Sequence, residues 1–91
     1  MEHLVHERDL LITDESGRVY DRVRMYAAPN GGVTWAGFIE FVRADGGPSL
    51  RTERETTQST VAAVTYWATG LEPLYFEGAL DRARRRLGDA A

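Results

Sequence analysis

The stretch Val19-Tyr20-Asp21-Arg22-Val23-Arg24-Met25-Tyr26-Ala27-Ala28-Pro29-Asn30-Gly31-Gly32-Val33-Thr34-Trp35-Ala36-Gly37-Phe38-Ile39-Glu40-Phe41 decides the fold. Apolar and polar side chains alternate on both sides of a Pro-Asn-Gly-Gly cluster, which is the pattern of two half-buried strands joined by a tight turn. Loop length then sets which residues face the core, because a slip of one residue exchanges the two faces. A three-residue loop, Pro29-Asn30-Gly31, suits the chemistry: proline presets the first φ, asparagine tolerates the second position and glycine takes the left-handed third. In that register Ala28 pairs with Gly32, Met25 with Trp35 and Val19 with Phe41. Val19, Val23, Met25, Val33, Trp35, Ile39 and Phe41 gather on the inner side. An even loop would mix tyrosine and arginine with Trp35 and Phe41, so hydrophobic consistency selects the odd one.

Two more turn signals flank this hairpin, Asp14-Glu15-Ser16-Gly17 and Ala44-Asp45-Gly46-Gly47. Asp45-Gly46 is the favoured pair for a two-residue type I′ turn and places Leu50 opposite Phe41 and Arg51 opposite Glu40. A first strand over about Arg8 to Thr13 sets Ile12 opposite Val19 across Ser16-Gly17, and residues 1–7 extend it or fray. The spacing predicts an antiparallel β-meander of about four strands.

Past Glu55 the period changes. Val61, Val64, Ala68 and Leu71 recur at helical spacing, with Thr56-Thr57 as N-cap and Gly70 as a left-handed end. A second helix begins near Pro73, where a missing N–H costs nothing, carries Phe76, Leu80, Ala83 and Leu87 on one side, and closes at Gly88. Glu72 and Glu77 near its start and Arg82, Arg84, Arg85 and Arg86 near its end complement the helix dipole. Trp35 and Trp67 are expected to build the sheet–helix core together, with Tyr66 at its rim and Leu74 and Tyr75 at an exposed corner. The fold class is α+β: one domain over 1–91, with a meander over 8–55 and a helical hairpin over 56–88 packed on one face of the sheet.

Ninety-one residues with 43% hydrophobic and 27% charged content make one ordinary globular unit. There is no cysteine, so disulfides, thiolate metal sites and thiol nucleophiles are excluded. Neither a signal sequence nor an apolar run long enough for a bilayer is read, and a cytoplasmic protein without membrane partners is expected. All eleven basic residues are arginine, a bias that fits a GC-rich genome, and the formal net charge is -3, which gives no general attraction to nucleic acid.

Once the inner face is assigned, Tyr20, Arg22, Arg24 and Tyr26 remain outside on one strand, with Phe38 and Glu40 on the next and Arg51 and Glu53 on the last. Tyr20, Arg22, Arg24, Tyr26, Phe38 and Arg51 are the candidate interaction face. Tyrosine and arginine favour a protein interface, first of all with a second copy of the chain. The same groups offer an alternative, stacking of unpaired bases with neutralised phosphates in a single-stranded nucleic-acid complex. Glu40 and Glu53 oppose the alternative by consuming the positive charge.

Other constellations are weaker. His3 and His6 with Glu2 and Glu7 match no zinc spacing and leave a tetrahedral ion short of ligands, so no metal or cofactor is expected. The polar run Thr52 to Gln58 reads as helix capping ahead of an anion site. No nucleophile with a base and an orienting group is found, which argues against an enzyme unless a site is completed across a dimer interface. The expected function is a small non-enzymatic interaction module or accessory subunit.

Overall fold

The computed structural model describes residues 1–90, with 87–90 by backbone alone. The elements run β1 (His3–Thr13), β2 (Val19–Asn30), β3 (Thr34–Arg43), β4 (Leu50–Arg51), β5 (Thr56–Gln58), α1 (Val61–Thr69) and α2 (Pro73–Ala90). The first four strands form an antiparallel sheet in sequential order, and β5 pairs with β3 beside β4. Both helices lie on one face, giving the α+β meander-then-helices architecture that the alternation predicts.

The central hairpin turns two residues later than its chemistry suggests. Asn30 pairs with Thr34, so the loop is Gly31-Gly32-Val33, and each β2 residue meets a β3 residue four positions further on than the sequence-derived register. Gly31 and Gly32 both take left-handed backbone, φ 73° and 90°, a conformation that costs other residues far more. Pro29 is instead drawn into β2 opposite Trp35. Its missing N–H is harmless there because the β1 pairing begins at His3–Ala27, leaving β2 an edge beyond that point. The loop keeps an odd length, so the faces survive the slip: Met25 meets Ile39 and Val23 meets Phe41, all four fully buried. Val33, placed inside by the sequence-derived register, lies in the loop and is exposed.

Leu50 pairs with Phe41 and Arg51 with Glu40, as the third turn signal implies. The turn itself is not type I′, because Asp45 keeps negative φ and only Gly46 is left-handed. Thr56 and Thr57 do not cap a helix; they form β5 with Gly37 and Ala36. Between β4 and β5 the ladder continues through Thr52, whose amide donates to the Ile39 carbonyl at 2.9 Å and whose hydroxyl accepts the Ile39 amide at 3.1 Å. Only Glu53-Arg54 bulges out before the Glu55 amide returns to the Gly37 carbonyl at 2.8 Å.

The N-cap of α1 is Thr60, whose hydroxyl accepts the Ala63 amide at 3.0 Å. Thr60→Ala is expected to cost about 1 kcal/mol, read from the urea midpoint at unchanged slope. At the other end Gly70 is right-handed, φ -89°, so it is no left-handed cap. The free carbonyls are met from the sheet: the Arg8 guanidinium donates to Ala68 O at 2.9 Å and Leu71 O at 3.0 Å and lies 4.9 Å from the Phe76 ring centre.

Phe76, Ala79, Leu80 and Ala83 of α2 bury against Tyr20, Val23, Met25, Ile39 and Phe41. Each large apolar side chain so buried stabilises by on the order of 1.5–3 kcal/mol. The helix runs on through Gly88 to Ala90, and the Leu87 side chain lies outside the described residues. Arg82, Arg84 and Arg86 therefore stand a turn or more before its end. They reach Glu55, Asp14 and the carbonyls of Arg51 and Thr52 instead of complementing a dipole. The tryptophans also separate: Trp67 joins the core margin beside Tyr75, while Trp35 packs against His3 with tilted rings 5.5 Å apart near the hairpin end.

Candidate interaction face

The face of the sheet away from the helices is organised in cross-strand rows. One row runs Glu7, Arg24, Glu40, Arg51 across all four strands, alternating in sign at every step. The neighbouring row is Leu4, Tyr26, Phe38, and the one beyond it Ala28, Ala36, Thr57. A charged half thus adjoins an apolar half on one open surface.

Five of the six candidate residues, Arg22, Arg24, Tyr26, Phe38 and Arg51, lie on this face. Tyr20 does not. The β2–β3 register shifts between Tyr20 and Arg22, so Asp21 is an extra residue that turns Tyr20 inward and Val19 outward. Tyr20 is 1% exposed, edge-on to Phe41 at 6.2 Å, and its hydroxyl donates to Asp14 Oδ2 at 3.1 Å. The same carboxylate accepts the Ser16 amide, the Ser16 hydroxyl and the Arg18 amide at 2.9, 2.7 and 3.1 Å. Ile12 pairs with Tyr20, not Val19. Alternation alone carries no sign of such a bulge.

Every guanidinium on the face has a carboxylate beside it. Arg24 Nε donates to Glu7 Oε2 at 2.6 Å and its Nη1 lies 3.7 Å from Glu40; Arg22 lies 3.7 Å from Glu7 and 3.6 Å from Asp9. Arg51 crosses the Tyr26 ring at 4.7 Å to reach Glu2 at 2.6 Å. The Arg24 hydrogen bond holds the Glu7 carboxyl below its ordinary range, while burial, with Glu40 beside it, pushes the Tyr26 phenol up. Leu4, Glu2 and Glu7 were missed because the sequence leaves residues 1–7 unplaced. Residues 3–7 extend β1, with Glu2 just ahead of it, and a register shift after Leu4 hides the alternation.

Elsewhere, His3 is engaged with Trp35, and burial, followed by nearby Arg8, lowers the His6 pKa. Within the Thr52–Gln58 run, Thr56–Gln58 is strand β5, and Glu55 receives the Tyr75 hydroxyl at 2.6 Å as well as Arg82. Tyr75 is therefore no exposed corner residue; burial and Glu55 push its pKa up to about 12. Tyr66 and Leu74 are exposed, at 84% and 76%. Among the described residues no helix is long and apolar enough to cross a membrane.

No protein-family model, curated protein or solved structure matches this chain. The functional reading rests on the surface itself.

Proposed function

We propose that this protein is a small non-enzymatic interaction module that self-associates through the outer face of its sheet. The observation that carries this is the alternating row Glu7, Arg24, Glu40, Arg51 beside the apolar row Leu4, Tyr26, Phe38. A two-fold axis parallel to the strands reverses strand order, so Glu7 of one copy meets Arg51 of the second and Arg24 meets Glu40. The row is complementary to itself, as an isologous interface requires. The same rotation lays Tyr26 over Phe38 of the second copy, supplying the aromatic contact that interface centres favour. Because the charges are already paired within each copy, the face enters the contact without an isolated ion to strip of water.

Single-stranded nucleic acid remains the alternative occupant, and the charge balance disfavours it. Arg22, Arg24 and Arg51 share the face with Glu2, Glu7, Asp9 and Glu40, an excess of one carboxylate, which repels a phosphate backbone.

Sedimentation velocity is the test. The native chain is expected to dimerise, and Arg24→Glu, which lines three carboxylates side by side on each copy, is expected to weaken the dimer roughly 100-fold. Arg24 is partly exposed, and the circular dichroism spectrum of the variant checks that it keeps the native fold. A native monomer at submillimolar concentration, or a dimer indifferent to this charge reversal, overturns the proposal.

A further inference from the structure

A groove of about 530 Å³ runs between the C-terminal end of β1 and the flank of α2. It lies on the open edge of the sheet, since β1 pairs only with β2 and its outward backbone groups meet no other strand among the described residues. Leu10, Ile12 and Leu80 form its apolar floor. Leu11 forms its lip. The β1–β2 register shifts between Asp9 and Ile12, so Leu10 and Leu11 together face the single residue Asp21, and Leu11 is thrown outward to 76% exposure. A leucine so exposed beside an apolar floor has no packing role within the chain.

The rim is acidic. Glu15, Glu77 and Asp81 border the groove, and Arg84 is its one lining cation among the described residues. Arg84 is drawn back onto Asp14 at 3.4 Å, a carboxylate that is itself 1% exposed, and reaches Glu15 only at 4.0 Å, so a single lining cation stands against Asp14 and the three rim carboxylates. Asp81 has Arg85 as its helix neighbour at 3.0 Å, and Glu77 has no cation within ion-pair distance among the described residues.

We infer that this groove binds a positively charged peptide segment, seating one apolar side chain between Leu11 and Leu80 while its basic residues meet Glu77, Asp81 and Glu15. The volume lies within the range of clefts that hold a few side chains, and the opening along a strand edge suits a linear ligand. Charge complementarity selects the occupant: an acidic segment would face three carboxylates across the same distance. The site is separate from the outer face, so it stands or falls independently of self-association.

Titration by fluorescence anisotropy with a labelled peptide of alternating lysine and leucine tests it, against a glutamate–leucine peptide of the same length. The cationic peptide is expected to bind and the acidic one not. The double variant Leu11→Ser, Glu77→Lys is expected to weaken binding at least tenfold, roughly the loss of one apolar anchor and one charge contact. Glu53→Lys, a charge change on an exposed residue outside the groove, should leave binding within about twofold. Both groove positions are exposed, so the variants fold as the native chain does. Equal binding of both peptides, or equal weakening by Glu53→Lys, overturns the inference. Retained binding in the Arg24→Glu chain separates this result from any failure of the outer face.

Discussion

Gly37→Val is expected to destabilise the protein by about 3 kcal/mol, the upper end for forcing side-chain atoms into a packed core. A Cβ at Gly37 would lie 2.7 Å from Thr56 Cγ2, 2.9 Å from Trp67 Cζ3 and 3.2 Å from Val64 Cγ1. Strand β5 and two turns of α1 close on this one position, so there is nowhere for the added atoms to go without lifting the helix. For a domain of this size the melting temperature should fall by roughly 15 °C. Gly70→Ala is the matched control: its Cβ would meet only ordinary contacts at 3.6 and 3.7 Å at φ -89°, and the change should be neutral or mildly stabilising. A valine variant that melts within a few degrees of the native protein would show that α1 is not seated on Gly37.

Asp14→Asn is expected to cost about 2 kcal/mol at neutral pH and to remove part of the acid sensitivity of the fold. Burial raises the Asp14 pKa, but the hydrogen bonds from the Ser16 hydroxyl, the Arg18 amide, the Tyr20 hydroxyl and the Ser16 amide together outweigh it and hold the carboxyl at about 2, against an ordinary 3.8. A depressed folded-state pKa means that the unfolded chain binds the proton first. The stabilisation is therefore whole above pH 3.8 and drains as pH falls from there towards 2. Urea titrations at a series of pH values should show the native chain and the Asp14→Asn variant separated by a constant gap above about pH 5 that closes in acid. A gap that does not narrow would mean that the loss comes from packing and not from the charge.

How far the sequence could be read divides along a physical line. Period-two alternation from Val19 to Phe41 and helical spacing from Val61 to Leu71 and from Phe76 to Ala83 report which side of an element is buried, and these placed Val23, Met25, Ile39, Phe41, Val64 and Phe76 in the core where the structure has them. Parity also protected the outer face, since a hairpin slip by an even count leaves Arg24 and Phe38 where they were. Local exceptions were not legible. The extra residue at Asp21 that buries Tyr20, the interruption at Glu53-Arg54 and the shift after Leu4 are irregularities of strand pairing that a period-two pattern does not encode. Capping failed similarly: Thr56 was the first plausible hydroxyl, but Gly37 and Ala36 offered its segment a ladder, leaving Thr60 for the helix. Arg8, the cation that caps α1, lies 60 residues from Ala68, beyond the reach of any periodicity argument.

The two borders of the sheet differ, and this limits what copies of the chain can build. Along β1 the backbone is open, while on the far side the β4–β5 strand is broken at Glu53-Arg54 and the Arg86 guanidinium occupies the carbonyls of Arg51 and Thr52. Joining strand to strand in a continuing ribbon needs two receptive margins per molecule, one to accept and one to offer. This molecule has one among its described residues, so joining strand to strand along the sheet edge ends at a pair.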